Sequence, residues 1–363
     1  MKRLKIPRPS DFHTHLRSIA QVGSRCFRWL VRMNCSHYRY VVVEPNTFLD
    51  ADDPAHHIET VDDLVHYRDM VLDAIPEGCH CEPLFLIKLT PKTTPRIIDD
   101  AADAGCIGLK LYPEGVTVGS EHGGVSDFFS RQMYRCLERA LERDLILQEH
   151  PEMPHTFCMQ REWIYHQVLD HHARDFPGLR IFIEHVTDRR TIDLAVRLRQ
   201  KYGAKIFVSI TGHHLRMTLD DVLGRVDGHC WPCAKEPLDR DMLARAAMDG
   251  TDWIISITDS APWKYKMKHL VERACAGIFN PAHIAIPNVV ELFENRRGLG
   301  NLKPLIQFTS HNGLSAYGLK QDEDDTITLV RSPLTVPKRY DTGGGLITPF
   351  MAGKTIDWSI EGA

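Results

Sequence analysis

Short apolar runs alternate with longer amphipathic stretches along most of this chain. After a first strand that leads into His13, runs rich in β-branched residues predict strands at residues 38–43, 83–90, 107–112, 145–150, 180–185, 205–210 and 253–259. Amphipathic stretches between them predict helices at residues 60–74, 96–104, 127–142, 161–174, 190–202 and 238–248. The strands are apolar on both faces, as buried parallel strands are. Eight strands alternating with helices predict an α/β protein built as a (β/α)8 TIM barrel.

The main competing fold is a doubly wound open sheet. That fold places a glycine-rich phosphate-binding turn after its first strand, and the sequence there, DFHTHLR at residues 11–17, contains no glycine. We therefore expect one barrel domain over residues 1–363, with the barrel core at about 7–280. Residues 281–363 are expected to form a final helix and a C-terminal tail packed on the barrel.

Composition narrows the range of partners. The chain has 363 residues, 25% of them charged, and a net charge of -4, which gives no electrostatic reason to expect nucleic-acid or membrane binding. It contains no apolar run of transmembrane length and no apolar signal-peptide region near residue 1. The 10 cysteines are therefore expected to be reduced thiols of a cytoplasmic protein.

Polar residues stand where the predicted strands end. Because side chains alternate along a strand, His13, His15 and Arg17 are expected to point the same way. The other strand ends carry Lys110, His150, His185 and Asp259. Each of these has an ordinary structural explanation: an ion pair for the lysine, hydrogen-bonded core positions for the histidines, a helix cap for Asp259. Barrel active sites lie at this end of the strands, and their accumulation at one rim favours a functional site.

The chemistry of the set favours two metal ions. Four histidines and an aspartate exceed the needs of one tetrahedral zinc and suit two cations about 3.5–4 Å apart. A lysine ammonium has no free lone pair, but Lys110 carboxylated by carbon dioxide offers one oxygen to each cation. Zinc is the expected metal, although cobalt and manganese accept the same ligands. Arg17 can hold a carboxylate with its planar fork.

The chain resembles dihydroorotases of the bacterial single-function type, within the amidohydrolase superfamily. The matching motifs occur in family order over nearly the whole chain. They are DFHTHLR (11–17), PNT (45–47), KLYP (110–113), EH (149–150), FIEHVT (182–187), TDSAP (258–262), CAGIFN (275–280), NG (312–313) and PFMAGKT (349–355).

This resemblance implies specific roles. His13, His15 and Asp259 would hold one zinc, and His150 and His185 the other. Two Zn²⁺ per subunit would be bridged by N6-carboxylated Lys110 and a hydroxide. The implied reaction is the interconversion of N-carbamoyl-L-aspartate and (S)-dihydroorotate in pyrimidine biosynthesis, with Asp259 as general acid and base. The implied assembly is a homodimer.

The resemblance also implies substrate contacts. Arg17 and Asn46 would bind the substrate carboxylate, and Ala276 would help through its backbone. In the family, two adjacent threonines close the loop at residues 114–124 over the substrate; here Thr117 is followed by Val118, so one hydroxyl is missing.

Two tryptophans are further departures. Trp263 replaces a histidine that touches the substrate carboxylate in the family, and it has one N–H donor and no positive charge. Trp231 replaces a leucine whose backbone reads the pyrimidine ring. Either change is consistent with neutral variation or with an altered substrate.

Two other pairs invite a functional interpretation. Cys230 and Cys233 have the spacing of a redox or zinc pair, but no second pair lies nearby, and we expect two unrelated buried thiols. His213 and His214 could line the site, but we expect a solvent-exposed loop pair.

The sequence is compatible with three functions. The first is a dihydroorotase. The second is a related cyclic amidase acting on a hydantoin, dihydropyrimidine or imide ring, which Trp263 and Val118 would accommodate. The third is an inactive scaffold, which would be expected to lose metal ligands; all six positions are filled here.

Overall fold

The computed structural model describes residues 2–270, 275–322 and 324–362. A short strand, β1 (Arg3–Pro7), precedes the barrel. Eight further strands form one parallel sheet, each paired with its neighbour in the chain. These strands are β2 (Asp11–Thr14), β3 (Tyr40–Val43), β4 (Glu82–Leu89), β5 (Gly108–Leu111), β6 (Ile146–Glu149), β7 (Arg180–Ile183), β8 (Ile206–Thr211) and β9 (Ile254–Ile257). The predicted barrel is thus confirmed.

The barrel closes between its first and last strands. A parallel bridge joins Thr14 to Ser260 just beyond β9. Two backbone hydrogen bonds flank this bridge, from the His15 N–H to the Ser260 carbonyl at 2.8 Å and from the Asp259 N–H to the His13 carbonyl at 3.0 Å. The closure therefore brings His13 and His15, at the end of β2, beside Asp259, which follows β9.

Helices surround the barrel, and their ends follow local sequence signals. Thr60 caps α3 with Asp63 in a reciprocal capping box, and Thr94 caps α4 ahead of a proline. The helices up to residue 268 are α1 (Ile19–Val22), α2 (Ser24–Cys35), α3 (Val61–Ala74), α4 (Pro95–Asp103), α5 (Arg131–Glu142), α6 (Arg161–Asp175), α7 (Arg189–Tyr202), α8 (Leu219–Val222), α9 (Pro237–Met248) and α10 (Tyr265–Lys268), with a 3₁₀ turn at Val226–Gly228. The six predicted helices are present, with ends shifted by a few residues; α1, α2, α8 and α10 were not predicted.

The C-terminal region contains the helices α11 (Ala282–Arg297), α12 (Lys303–Ile306) and α13 (Asn312–Tyr317), the last preceded by a π-helical turn at Gln307–His311. Of these, α13 packs into one end of the barrel, and α11 packs on α2 and the tail strands. Tyr317 stacks on Phe12 inside the barrel, with ring centroids 4.6 Å apart. Gly313 makes this approach possible, because a Cβ there would lie 2.0 Å from the Phe12 ring. The polar ligands accordingly lie at the opposite end of the barrel.

The tail ties the two ends of the chain together. Its strands are β10 (Thr326–Val330), β11 (Leu334–Thr335), β12 (Tyr340–Asp341), β13 (Leu346–Ile347), β14 (Thr355–Ile356) and β15 (Ser359–Ile360). β10 pairs antiparallel with both β1 and β15. The region after residue 280 therefore contains several helices and strands rather than the expected single helix and tail, and the one-domain division stays a prediction. No helix in the described ranges is both long and apolar enough to cross a membrane.

Candidate metal centre and active site

The first half of the site lies where the barrel closes. His13 is the third residue of β2, and His15 follows the strand directly. The Nε2 atoms of His15 and His13 lie 3.2 and 3.5 Å from Oδ1 of Asp259. Asp259 has a φ of 43°, a left-handed conformation that a non-glycine residue adopts at a cost. The backbone hydrogen bond to the His13 carbonyl holds it there, so the three predicted ligands face one point.

The second half comes from the neighbouring strand ends. His185, two residues beyond β7, lies between the other histidines, with ring centroids 4.6 Å from His150 and 5.1 Å from His13. Lys110 on β5 is fully buried, and its Nζ lies 3.5 Å from the Glu44 carboxylate. The structure thus brings together all six residues that the sequence predicted as metal ligands; whether they bind metal stays a prediction.

Two carboxylates without a predicted role orient the histidines. Glu184 lies 2.6 Å from Nδ1 of His13, and Glu152 lies 2.8 Å from Nε2 of His150. Each contact occupies one ring nitrogen and leaves the other for a cation, as is common around protein metal sites. Glu184 stands directly before His185 and Glu152 two residues after His150. The sequence feature that could have identified these two carboxylates is the presence of acidic residues at the same strand ends as the histidines.

Buried polar atoms without partners test whether the site fits a metal. Within the described ranges, Nδ1 of His15, Nδ1 of His185 and Nζ of Lys110 are buried and have no hydrogen-bond partner. Leaving such atoms unpaired in a protein interior is costly. A carbamate on Lys110 would give its buried nitrogen a role, and cations would use the imidazole lone pairs that face Asp259. The donor set therefore fits the predicted metal centre.

Burial also controls the charges of the site. Burial raises the pKa of Asp259 to about 7, against the opposing effects of Lys110 and His150. Burial, assisted by the charge of Arg17, lowers the pKa of His15 to about 3. The pKa of His185 is also lowered well below its usual value, chiefly by burial. Both histidines are therefore neutral at pH 7 and have lone pairs available for a cation.

A cavity opens beside these ligands. It is lined by His13, His15, Arg17, Asn46, Tyr112, Thr117, Val118, His150, His185, Trp231, Asp259, Ala261, Ala276 and Gly277. Five of the six predicted substrate-binding residues are in this lining. Trp263 is not among them.

Trp263 lies behind Arg17 instead. The Arg17 guanidinium carbon is 4.1 Å from the centre of the Trp263 ring, a cation–π contact. The indole N–H donates to the Ala276 carbonyl at 2.9 Å, and Arg17 Nε donates to the Pro262 carbonyl at 2.9 Å. The indole donor is therefore already used, and the predicted role of Trp263 as a substrate contact remains unsupported by this arrangement.

The loop at residues 114–124 lies over the cavity. Asn46 Nδ2 donates to the Val118 carbonyl at 3.3 Å. Lys88 on β4 donates to the carbonyls of Gly119 and His122, and its Nζ lies 2.8 Å from Nδ1 of His57. Burial lowers the pKa of His57 to about 3, so this ring is neutral and can accept the bond. Lys88 had no predicted role, because every residue has a backbone carbonyl and the sequence does not show which of them a side chain reaches.

The predictions for the two remaining residue pairs had different outcomes. Cys230 and Cys233 are buried free thiols, as expected. The prediction that His213 and His214 form a solvent-exposed loop pair was wrong: their relative exposures are 0% and 2%. They follow β8, and the His213 ring lies 6.0 Å, centroid to centroid, from that of Phe350 in the C-terminal tail.

Comparisons with known proteins agree with the motifs. No protein-family model matches the chain. A dihydroorotase of Shewanella baltica is 33% identical over 369 residues, covering 99% of this chain and 100% of that protein. Dihydroorotase crystal structures from Saccharomyces cerevisiae (a complex with 5-fluoroorotic acid) and Campylobacter jejuni have TM-scores of 0.88 and 0.85, at 26% and 28% identity. Each covers 99% of this chain, which in turn covers 99% and 98% of theirs. The chain therefore belongs to the dihydroorotase family and is a hydrolase that acts on cyclic amides.

Proposed function

We propose that this chain is a metal-dependent dihydroorotase that interconverts N-carbamoyl-L-aspartate and (S)-dihydroorotate in pyrimidine biosynthesis. The observation that carries the proposal is the convergence of two sets of side chains on one cavity. The imidazoles and Asp259 line this cavity together with the Arg17 guanidinium. A ring amide that bears a carboxylate needs both sets.

The proposed cofactor is a pair of Zn²⁺ ions. His13, His15 and Asp259 would hold one, His150 and His185 the other, with N6-carboxylated Lys110 and a hydroxide as bridges. The bound pair would supply hydroxide at neutral pH and polarise the ring carbonyl. The Nζ of Lys110, which has no hydrogen-bond partner, and the oriented imidazoles support this assignment.

Asp259 is the proposed proton carrier. When hydroxide adds to the ring carbonyl carbon, the Asp259 carboxylate accepts the proton of the attacking oxygen. It then delivers that proton to the ring nitrogen as the C–N bond breaks. The reverse sequence closes the ring. The fixed backbone of Asp259, at the barrel closure, keeps its carboxylate at the cavity through both steps.

The other cavity residues position the substrate. Arg17 and Asn46 would bind the carboxylate, since their side chains supply the charged and amide donors of the cavity wall. Ala276 would contribute through its backbone, Thr117 would cover the substrate from the loop, and Trp231 would contact the ring. The proposed assembly remains the homodimer that the resemblance implies.

One observation favours a second candidate. Because the indole N–H of Trp263 bonds to Ala276, the carboxylate would lose a contact available to relatives with histidine at this position. A cyclic amidase for a hydantoin, dihydropyrimidine or imide ring without a carboxylate would tolerate that loss.

The test is turnover of dihydroorotate in both directions by protein supplied with zinc and bicarbonate, compared with a panel of carboxylate-free cyclic amides and imides. We expect dihydroorotate to be the preferred substrate. Arg17→Met is expected to lower kcat/KM for dihydroorotate by roughly 10–100-fold, since a hydrogen bond to a charged group is worth about 1.5–3 kcal/mol.

Three results would count against the proposal. Preference for a carboxylate-free ring would support the second candidate. Unchanged dihydroorotate turnover in Arg17→Met would refute the carboxylate contact. A zinc-supplied protein that retains no metal and acts on no ring would point to an inactive scaffold.

A further inference from the structure

A second group of potential metal ligands lies behind the wall of the cavity. His213 and His214 follow β8, and Cys230 precedes Trp231, which lines the cavity. One donor atom from each of the three side chains lies within 4.8 Å of the other two. All three side chains are buried, with relative exposures of 0%, 2% and 1%. The group contains a thiol, which the proposed catalytic ligands do not.

His213 has no ordinary explanation in this environment. Neither of its ring nitrogens has a hydrogen-bond partner anywhere in the described ranges, although its ring is fully buried. Burying an imidazole costs free energy when both ring nitrogens lose their hydrogen bonds to water and gain no other partner. The ring lies 4.3 Å from His214, centroid to centroid, so a ligand shared with that histidine is within reach.

His214 is already oriented toward the thiol. Its Nδ1 lies 2.8 Å from the Thr211 hydroxyl, which leaves Nε2 facing Cys230 Sγ at 3.6 Å. The Pro232 carbonyl oxygen lies 3.2 Å from this nitrogen and 3.4 Å from the sulfur. Separations of this size are close to those between ligands of one tetrahedral zinc, given bonds of about 2.0–2.3 Å.

The protonation states suit a cation. Burial lowers the pKa of His214 to about 3 and that of His213 well below its usual range, so both rings are neutral. Burial raises the pKa of the Cys230 thiol, so the sulfur keeps its proton until a cation displaces it. Lys268, the cation that affects both His213 and Cys230, is engaged with the carbonyls of His229 and Gly277.

We propose that His213, His214 and Cys230 bind a thiophilic metal cation, Zn²⁺ in the first instance, at a site separate from the catalytic pair. The thiolate and imidazole donors favour such a cation over Mg²⁺ or Ca²⁺. The Pro232 carbonyl is placed to complete the coordination. Bound there, the cation fixes the loop that carries Trp231 against the end of β8, and so supports the cavity wall from behind.

Cobalt provides a specific test. The protein is produced in cells supplied with Co²⁺, so that metal is inserted during folding. The proposed catalytic ligands offer only nitrogen and oxygen, so a thiolate-to-cobalt charge-transfer band in the near ultraviolet reports the new site alone. We expect this band in the wild-type protein and its loss in Cys230→Ser and in His213→Gln. Cys136→Ser is the matched control, because Cys136 is also buried but donates to the Thr93 carbonyl, away from both sites.

Metal counting completes the test. Elemental analysis of zinc-loaded protein is expected to give one equivalent less per chain in Cys230→Ser than in wild type and Cys136→Ser. A cobalt-containing wild-type protein without the thiolate band overturns the proposal, even if the variants fail to fold. Equal metal content in folded Cys230→Ser and wild type also overturns it. Dihydroorotate turnover tests the catalytic proposal separately, so the two can fail independently.

Discussion

The two sides of the cavity are built differently. The metal-ligand side consists of His13, His15, Lys110, His150, His185 and Asp259, all on or within two residues of barrel strands and at most 7% exposed. The loop side consists of Arg17, Thr117 and Trp231, with Trp263 packed behind Arg17; all four lie on connections between elements. Buried carboxylates and strand pairing fix the first side, whereas stacking and single hydrogen bonds fix much of the second.

This difference separates chemistry from recognition. Residues on strand ends inherit their positions from the barrel, so a change there should affect the reaction itself. Residues on loops can shift with modest cost, so changes there should affect mainly substrate binding. Substitutions on the two sides are therefore expected to differ both in size and in the kinetic constant that they change.

The largest effect is expected from Asp259→Asn on the metal-ligand side. An amide cannot accept and return the proton, and it is a poorer cation ligand than a carboxylate. We expect kcat for dihydroorotate to fall by about 10³–10⁴-fold, at the upper end of what a general base contributes. Steady-state kinetics together with metal content measure both consequences.

Asp11→Asn is the control for this substitution. Asp11 is a buried carboxylate of the same strand as His13, but it bonds to the Thr258 N–H at 2.8 Å and does not line the cavity. Its loss should lower the melting temperature while kcat changes by less than about tenfold. A comparable loss of kcat in both variants would show that barrel closure, and not proton transfer, explains the effect.

The same division explains what the sequence could predict. The apolar runs located eight strands, and their ends located six predicted ligands, because strand order alone decides which residues meet at a barrel mouth. Contacts between loops have no such rule. Arg17 and Trp263 are far apart in the sequence, and no periodicity relates a guanidinium to the ring beneath it.

The sequence also could not predict the burial of residues outside the predicted strands and helices. His213 and His214 follow a strand in a polar-looking segment, which favours an exposed turn. They are buried because distant parts of the chain pack on them: Phe350 lies beside the His213 ring, and the Pro232 carbonyl beside His214. Pairing of β1 with β10 also depends on the two ends of the chain meeting, which local sequence does not encode.

A smaller effect is expected from Trp263→Leu on the loop side. Leucine removes the ring under Arg17, and a desolvated cation–π contact is worth about 1–2 kcal/mol. We expect KM for dihydroorotate to rise by about tenfold while kcat changes little, because the guanidinium is less well held. Trp263→Phe keeps an aromatic ring, so its KM should lie between those of the wild type and Trp263→Leu.

Trp163→Leu is the matched control for this ring. Trp163 also stacks on an arginine, Arg190, at 4.7 Å, but it lies on the exposed surface and away from the cavity. Its replacement should leave KM unchanged. An equal fall in kcat and kcat/KM in Trp263→Leu, with unchanged KM, would place Trp263 in the chemistry and contradict the division between the two sides.

Lys88 connects the two sides of the cavity. The smallest effect is expected from Lys88→Met. Lys88 lies on a barrel strand, paired in register with Lys110, yet its ammonium holds the loop at residues 114–124 through two backbone carbonyls. Methionine keeps most of the apolar stem but cannot donate these bonds. We expect KM to rise by about threefold, since the loop that carries Thr117 closes less firmly over the substrate.

Hydrogen exchange distinguishes this effect from a general loss of stability. Amides of the loop at residues 114–124 should exchange faster in Lys88→Met, while those of the neighbouring barrel strands keep their protection. Lys201→Met, at an exposed position on α7, should change neither KM nor exchange. Faster exchange throughout the barrel would mean that Lys88 supports the core rather than the loop. Loop exchange equal to wild type would mean that the Asn46–Val118 bond alone is sufficient to hold the loop, and that strand and loop are less coupled than the contacts of Lys88 indicate.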